Sequence, residues 1–306
     1  MGIYSIDMYI STPLEKLLLE ASEARKRGIG NRIETCGIVN AKSGACGEDC
    51  KFCAQSGHYS TDTPHYPLKT REEIVEAARK AKTDGAERFG IVTSGNRLTG
   101  DEILAVSQAI REISRDVGLS PCASLGALDE EAFALLVDAG LTRYHHNIET
   151  SERFYPNIVS THSYRERVDT IKTAKRMGLE VCSGGILGMG ETWQDRLDMA
   201  LLLKELNVDS VPLNFLVPIP GTPLEHIRRI SPVEAIRSIA LFRIILPDKD
   251  IKVAAGRESI LKDFQGMIYS AGANGMLVGG YLTVAGRSVE EDKDLIAEIR
   301  RSWNEE

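Results

Sequence analysis

Three cysteines in one short segment carry the strongest chemical signal of this sequence. Cys46, Cys50 and Cys53 have the spacing C-x3-C-x2-C, and no fourth cysteine follows nearby. A closed structural zinc site and a complete [4Fe–4S] cluster each take four protein ligands. Three thiolates therefore favour an iron–sulfur cluster with one open iron. The alternatives are a zinc ion with water as its fourth ligand, or a redox pair with a spare thiol.

The composition is that of an ordinary globular protein, and it narrows the classes of partner. The chain has 306 residues, of which 42% are hydrophobic and 26% charged, with a net charge of −7. This charge argues against nucleic acid or an anionic membrane as the main partner. Six cysteines do not form a disulfide framework in a chain of this length, and the first residues lack a signal-peptide pattern. No apolar run reaches membrane-spanning length. We therefore expect a cytoplasmic location.

Short apolar runs alternate with amphipathic segments along the chain. Eight runs are predicted as strands: Thr35–Asn40, Arg88–Thr93, Pro121–Leu125, Thr142–Asn147, Glu180–Ser183, Ser210–Leu216, Ile251–Ala254 and Gly275–Val278. Thr70, Asp129, Ser163 and Ser231 are capping residues that predict helix starts between them. Repeated strand–helix units predict an α/β fold, a (β/α)8 TIM barrel, with a doubly wound open sheet as the alternative.

The organisation that follows is one domain over residues 1–306 with an N-terminal helical extension over about residues 1–30. The extension contains a predicted helix, Pro13–Arg27, outside the barrel. The cysteine segment directly follows the first strand. It should therefore lie at the C-terminal mouth of the barrel, where barrel enzymes carry their active sites.

Other residues that could do chemistry also lie at predicted strand ends. Asn147 and Glu149 end the fourth strand on one side of it, and Asn214 lies on the sixth. The glycine-rich segment Gly184–Glu191 follows the fifth strand, where glycines let backbone approach a flat ligand. Each of these has an ordinary structural explanation as well, as a satisfied strand end or a helix-opening turn. Arg167 could likewise be only a surface charge.

The remaining cysteines lie on different predicted strands. Cys36 is on the first, Cys122 on the third and Cys182 on the fifth, while Arg257 follows the seventh. Buried free cysteine usually acts as a small hydrophobic residue. Together these four residues could instead hold a second cluster inside the barrel.

The chain resembles the biotin synthase family of radical S-adenosylmethionine (SAM) enzymes over nearly its whole length. The matching segments are Gly44–Cys53, His146–Ser151, Phe154–Tyr155, Val181–Gly185, Asp209–Phe215, Gly221–Leu224, Ala255–Glu258 and Ala271–Asn274. The resemblance implies a radical SAM barrel, a [4Fe–4S] cluster that binds SAM, and sulfur transfer from an auxiliary iron–sulfur cluster to dethiobiotin.

The resemblance also implies roles for individual residues. Cys46, Cys50 and Cys53 would ligate the SAM cluster. Residues expected to contact SAM are Phe52, Glu149, Arg167, Gly185, Leu187 and Gly188. Asn147 and Asn214 would bind the ureido ring of dethiobiotin, and Cys122, Cys182 and Arg257 would hold the auxiliary cluster.

The sequence departs from the family at one auxiliary ligand. The usual Arg-Phe-Cys on the second strand is Arg88-Phe89-Gly90 here, and glycine has no side chain to ligate a metal. We hypothesise that Cys36 supplies the missing ligand from the neighbouring strand, where it shares one face with Ile38 and Asn40. A cluster of different nuclearity from the family's two-iron form would follow.

The expected function is the radical conversion of dethiobiotin to biotin. The resemblance further implies an electron donor of the flavodoxin or ferredoxin type and allows a homodimer. One alternative is a related radical SAM enzyme without sulfur insertion, similar to a hydrogenase maturase or an amino-acid mutase. Gly90 favours this alternative. The residues that together oppose it are Asn147, Asn214, Cys122, Cys182 and Arg257. A non-catalytic iron–sulfur protein is the other alternative.

Overall fold

A computed structural model describes residues 6–280 and 287–304. Its strands are β1 Glu34–Lys42, β2 Arg88–Thr93, β3 Ser120–Ser124, β4 Arg143–His145, β5 Glu180–Cys182, β6 Gly185–Leu187, β7 Ser210–Phe215, β8 Asp250–Val253 and β9 Gly275–Leu277. Its α-helices are α1 Ile6–Ser11, α2 Leu14–Gly28, α3 Arg71–Thr83, α4 Gly100–Glu112, α5 Glu130–Asp138, α6 Tyr164–Arg176, α7 Trp193–Glu205, α8 Pro232–Ile245, α9 Arg257–Leu261, α10 Met267–Ser270 and α11 Val289–Asn304.

The strands form a closed parallel barrel. Neighbours run in the order β1 to β5, then β7, β8 and β9, which pairs with β1 again. Cys182 on β5 pairs with Ser210 on β7 and closes the ring. The short strand β6 follows β5 after two residues and also pairs with β7, so the two pieces make one position in the barrel. The predicted (β/α)8 barrel is confirmed and the open-sheet alternative is wrong; β6 was not predicted.

The helices begin where the capping residues predict them. Thr70 Oγ1 accepts a hydrogen bond from the Glu73 backbone nitrogen at 3.2 Å, and the Glu73 carboxylate accepts one from Thr70 nitrogen at 2.8 Å. This reciprocal pair satisfies two backbone donors at the start of α3. Asp129, Ser163 and Ser231 cap α5, α6 and α8 in the same way with a side-chain oxygen.

Both ends of the described chain pack against the outside of the barrel. The predicted N-terminal helix is α2, whose Leu17 and Ala21 are fully buried, and which packs against α8. The Arg25 guanidinium of α2 lies 3.7 Å from the ring centre of Trp303 in α11. Across the described ranges, every helix is too short or too polar to cross a membrane.

Alternation along the strands decides which side chains enter the barrel. On β1, Cys36 and Ile38 face the interior, and on β2, Arg88 and Gly90 do so. Successive side chains of a strand point to opposite faces, so the intervening residues pack under the helices. Phe89, for example, is 1% exposed in the core. The interior of this barrel is therefore partly polar and forms the site described next.

Candidate active site

The three clustered cysteines face a cavity at the C-terminal mouth of the barrel. This mouth cavity, about 180 Å³, is lined by Cys46, Cys50 and Cys53 together with Arg167 and His162. Burial raises the pKa of the Cys50 thiol well above its usual range, and burial raises that of Cys53 to about 11. Metal binding to such thiols must release their protons.

Arg167 is held beside this cavity by hydrogen bonds and is not a surface charge. Its Nε donates to the Tyr155 hydroxyl at 2.7 Å and its Nη1 donates to the Asn147 carbonyl at 2.9 Å. The same nitrogen lies 4.0 Å from the Glu149 carboxylate. Phe52 lines the mouth cavity as well. The predicted SAM-contacting residues Phe52, Glu149 and Arg167 are therefore brought together with the cysteines.

Glu149 is held in an uncommon backbone conformation at the end of the fourth barrel position. Its φ of 68° lies in the left-handed region, which costs free energy for a residue with a side chain. The Gly185 backbone lies directly against it: a Cβ at position 185 would lie 2.1 Å from the Glu149 carbonyl oxygen. Only glycine allows this approach, which fixes where the Glu149 carboxylate points.

We expect Gly185→Ala to disrupt the mouth cavity. The added methyl group meets backbone atoms, so the Glu149 segment must move; overpacking of this kind costs about 1–3 kcal/mol. Urea denaturation should show this loss of stability, and equilibrium binding should show weaker SAM affinity. Gly100→Ala is the matched control, because nothing lies within 4 Å of its added methyl group. Unchanged SAM affinity in Gly185→Ala would contradict the prediction.

Most side chains of the glycine-rich segment after Gly185 support the cavity wall from behind and do not face the cavity. Ile186 lines a cavity, whereas the Leu187 side chain is 1% exposed and packs in the core. Gly188 and Met189 donate their backbone N–H groups to the Glu191 carboxylate, each at 2.8 Å. A SAM contact from Leu187 or Gly188 could therefore come only from the backbone, and Glu191 is a structural residue of the turn.

A second, deeper cavity of about 380 Å³ adjoins the first. Cys53, His145, Asn147 and Glu149 line both, so the two cavities share a wall. The deep cavity is also lined by Asn214, and by the cysteines of three separate strands: Cys36, Cys122 and Cys182. Asn40 was predicted to share one face of β1 with Cys36 and Ile38. Among the described residues, it does not line either cavity.

The side chains of Asn147 and Asn214 each accept one hydrogen bond and donate one within the fold. The Asn147 side chain accepts from Gly184 nitrogen at 3.1 Å and donates to Glu149 at 3.3 Å. The Asn214 side chain accepts from Ala255 nitrogen and donates to the Gly185 carbonyl, both at 3.1 Å. A primary amide carries two N–H groups and two acceptor lone pairs. Each side chain thus has one further donor and one further acceptor beyond these contacts.

At Gly90, strand β2 has no side chain to extend into the deep cavity. It pairs with Ile38 on one side and Cys122 on the other. A Cβ at position 90 would lie 3.2 Å from Cγ2 of Ile38, closer than ordinary contact. The space next to Gly90 is therefore partly taken by Ile38, and Cys36 lies one inward position deeper on the same strand.

Charged residues at the floor of the deep cavity form a network that the sequence reasoning missed. We call Glu34, Arg88, Arg143 and Lys252 the floor network. Arg143 Nη1 lies 2.9 Å from the Glu34 carboxylate, Arg88 Nε 3.1 Å and Lys252 Nζ 3.3 Å. Burial would raise the pKa of Glu34, but Lys252, Arg143 and Arg88 outweigh it and lower the pKa to about 2.

The floor network also contacts the cysteines. Lys252 Nζ donates to Cys36 Sγ at 3.0 Å. Burial raises the pKa of the Cys36 thiol and raises that of Cys122 to about 12. Arg88, Arg143 and Lys252 line the cavity, so its floor presents positive charge to whatever the thiols hold. Their positions could have been read from the sequence, as polar residues at every second place in short strands.

Arg257 does not lie with these cysteines. It follows a turn at Gly256, whose φ is 82°, and its side chain leaves the barrel interior. Its Nη2 lies 2.9 Å from Asp292 of α11 and 3.0 Å from Glu258, and it is absent from the described lining of the deep cavity. The predicted grouping of Arg257 with Cys122 and Cys182 is therefore not observed, because the turn directs it toward the C-terminal helix.

We expect Arg257→Met to destabilise the fold and to leave the iron content unchanged. Asp292 is fully buried, and removing its cationic partner leaves a buried charge, which costs about 3–5 kcal/mol. Urea denaturation and iron analysis of the reconstituted chain measure the two effects. The control Arg300→Met alters an exposed arginine of the same helix α11. Loss of auxiliary iron without loss of stability would contradict this prediction.

The donor groups suit iron–sulfur clusters better than single ions. Among the described residues, no three His, Cys, Asp or Glu side chains are arranged around one metal ion. A cubane places each thiolate on a different iron, so it does not require that arrangement. All six cysteines are free thiols: three line the mouth cavity, the other three line only the deep cavity, and Cys53 of the first set lines both.

Two family models match the chain. The Radical SAM superfamily model matches residues 40–203, and the Biotin and Thiamin Synthesis associated domain matches residues 212–300. Strands from both segments take part in the barrel.

Curated relatives named biotin synthase match most of the chain. The protein of Thermotoga neapolitana is 53% identical over 88% of this chain and 97% of its own length. That of Geobacter sulfurreducens is 48% identical over 94% of this chain and 88% of its own length.

Solved structures support the fold. Methylornithine synthase (PylB) has a TM-score of 0.80 at 21% identity and covers 98% of this chain and 90% of its own. The FeFe-hydrogenase maturase HydG of Carboxydothermus hydrogenoformans has a TM-score of 0.80 at 16% identity, with 96% and 73% covered. At these identities the likeness concerns the barrel alone.

Proposed function

Because the chain belongs to the biotin synthase family of radical SAM enzymes, we propose that its two adjoining cavities carry out the sulfur insertion that converts dethiobiotin to biotin. The observation that carries this proposal is the pair of cysteine sets at two cavities that share one wall. Cys46, Cys50 and Cys53 line the mouth cavity, and Cys36, Cys122 and Cys182 line only the deep cavity. Cys53, Asn147 and Glu149 line both.

The mouth cavity is the proposed site of the [4Fe–4S] cluster and SAM. Cys46, Cys50 and Cys53 would ligate three irons. When bound, the cluster and SAM supply a radical strong enough to take hydrogen from an unactivated C–H bond. Arg167 offers a guanidinium fork for a carboxylate. Glu149 offers acceptor oxygens for hydroxyl groups, and Phe52 an apolar face for a flat ring.

The wall between the cavities is the proposed site of dethiobiotin. A cyclic urea presents one carbonyl oxygen and two N–H groups. Asn147 and Asn214 each retain one donor and one acceptor beyond their contacts within the fold. Backbone groups hold the Asn214 amide, and a backbone nitrogen and the Glu149 carboxylate hold that of Asn147. Both amides are therefore preorganised, and a ureido ring could replace water without rearranging them.

The deep cavity is the proposed site of the auxiliary cluster that donates sulfur. Cys36, Cys122 and Cys182 would be its cysteine ligands, with Cys36 in place of the residue missing at Gly90. Of the basic residues that line this cavity, Lys252 is hydrogen-bonded to Cys36, and we propose it for the role that the resemblance implied for Arg257. The cationic floor supports the proposal, because thiolates and sulfide in a buried cavity need nearby positive charge.

The remaining proposals concern the electron donor, the location and the partners of the chain. A flavodoxin- or ferredoxin-type donor would deliver electrons to the mouth cavity, whose cysteine loop is partly exposed. Free thiols at all six positions support a reducing, cytoplasmic location. We also propose that the chain acts without nucleic acid or membrane, and a homodimer is compatible with it.

Anaerobic reconstitution followed by a dethiobiotin assay tests the function. Dethiobiotin should accelerate SAM cleavage by dithionite-reduced protein, because it completes and dries the cavity. Asn214→Ala should weaken this response by about 1–3 kcal/mol, the usual cost of an unpaired buried polar group. A straight-chain carboxylic acid without the ureido ring is the control ligand, and SAM cleavage without substrate is the baseline of each variant.

Two other results would contradict the proposed function. If SAM is cleaved but dethiobiotin neither binds nor accelerates cleavage, the chain is a radical SAM enzyme without sulfur insertion, the alternative that Gly90 favours. If reduced protein with a full cluster cleaves no SAM at all, the non-catalytic alternative takes its place.

A further inference from the structure

His162 lies against the middle cysteine of the mouth cavity, although the proposed function gives it no role. Its Nε2 is 3.7 Å from Cys50 Sγ, and its side chain is 3% exposed. It lies in the segment between the turn at Tyr155–Asn157 and helix α6. A buried imidazole at this distance from a metal-binding thiol can donate a hydrogen bond to it, provided that Nε2 carries the hydrogen.

The neighbouring hydrogen bonds are compatible with a hydrogen on Nε2. Arg167 has donors only, so its Nε–H donates to the Tyr155 oxygen, at 2.7 Å. The Tyr155 hydroxyl also lies 2.7 Å from His162 Nδ1, where its single hydrogen finds an acceptor. An imidazole that accepts at Nδ1 carries its hydrogen on Nε2, and this is the tautomer that the inference requires, because its Nε2–H faces Cys50.

The position of His162 is set by the cysteine loop itself. The Asp49 carboxylate accepts hydrogen bonds from the backbone nitrogens of Ser160 and Thr161, at 2.8 and 3.2 Å. The Lys51 backbone nitrogen donates to the Ile158 carbonyl at 2.9 Å. Asp49 and Lys51 flank Cys50 in the chain. The segment that carries His162 is thus attached on both sides of the cysteine it faces.

One further group lies close to His162 Nε2. A carboxylate oxygen of Glu48 is 3.7 Å from the same nitrogen and has no hydrogen-bond partner among the described residues, although it is buried. The imidazole is thus within 4 Å of both a carboxylate oxygen and the Cys50 sulfur. A hydrogen on Nε2 is electrostatically favourable beside these two groups.

We propose that His162 is a positioning residue that donates a hydrogen bond to Cys50 and thereby raises the reduction potential of the SAM cluster. Hydrogen bonds to cluster sulfurs stabilise the more negative, reduced state. Tyr155 connects this bond to Arg167, the proposed partner of the SAM carboxylate, so the SAM site and the cluster share one hydrogen-bonded chain. The inference rests on the proposed role of Cys50 as a cluster ligand.

A redox titration of the reconstituted chain, followed by electron paramagnetic resonance without SAM, tests the inference. His162→Leu keeps the bulk and removes the donor. It should lower the ratio of reduced to oxidised cluster at a fixed potential by about tenfold, or about 59 mV for one electron. His162→Gln keeps an N–H near the same place and should remain close to the unmodified chain. His226→Leu, at a side chain 92% exposed, is the matched control.

Each outcome decides for or against the hydrogen bond. A His162→Leu ratio equal to that of the unmodified chain overturns the inference, as do equal losses in the Leu and Gln variants. If the Leu variant fails to hold four irons and the Gln variant holds them, the donor is supported; if neither holds them, it is not. Failure of the unmodified chain to assemble a cluster on Cys46, Cys50 and Cys53 would instead contradict the proposed function.

Discussion

Each single replacement by alanine, at Cys46, Cys50 or Cys53, should reduce 5′-deoxyadenosine formation to background. Each thiolate is expected to ligate a separate iron, so the loss of one cannot be made good by the other two. In the part of the chain that the structure describes, the other three thiols line the deep cavity and not the mouth cavity. Chromatographic assay of 5′-deoxyadenosine after dithionite reduction measures the effect.

The deep-cavity cysteines provide the control for this experiment. Cys122→Ala and Cys182→Ala should retain 5′-deoxyadenosine formation, because their side chains do not reach the mouth cavity. A Cys46, Cys50 or Cys53 variant with undiminished 5′-deoxyadenosine would rule out the assignment of the SAM cluster to these residues.

Cys36→Ala should separate the two clusters. We expect this variant to keep the mouth cluster and 5′-deoxyadenosine formation, to lose the auxiliary iron, and to make no biotin. The Cys36 thiol is in contact with Lys252 Nζ, at 3.0 Å, so its loss removes both a proposed ligand and one of the partners of a buried cation. Iron and sulfide analysis, with a biotin assay, measures the outcome.

Cys36→Ser distinguishes these two effects. Serine still accepts a hydrogen bond from Lys252 but is a poor ligand for iron in comparison with a thiolate. If Cys36 is a ligand, Ser and Ala variants should lose the same iron; if it only satisfies Lys252, the serine variant should keep it. A Cys36→Ala protein that keeps the iron content of the unmodified chain and still makes biotin would contradict the hypothesis that Cys36 is a ligand.

The barrel and its mouth could be predicted because both depend on local patterns. Eight apolar runs and four helix caps defined the order of elements, and the cysteine segment follows β1, so it had to lie at the C-terminal end. Cys36 and Ile38 could be placed inside by alternation alone. Among the strands, the one missed was β6, since the three residues Gly185–Leu187 are too few to show a periodicity.

The differences between expectation and structure lie beyond strand ends, where alternation no longer applies. Arg257 was grouped with the cysteines because it follows a strand, but the Gly256 turn directs it to Asp292, a residue 35 positions away in the chain. Lys252, within β8, was the basic residue that alternation could have found. His162 could not be found at all, because its contact with Cys50 depends on how two loops meet.

The pairing of Gly90 with Ile38 has a consequence for how such a site can evolve. A cysteine side chain at position 90 would place its Cβ 3.2 Å from Cγ2 of Ile38, so the Ile38 side chain would have to shift by a few tenths of an ångström to admit it. A ligand on β2 and the Ile38 side chain therefore compete for the same space. If Cys36 is the ligand, residue 38 helps to decide which of the two strands can supply it, so the two positions would be expected to change together.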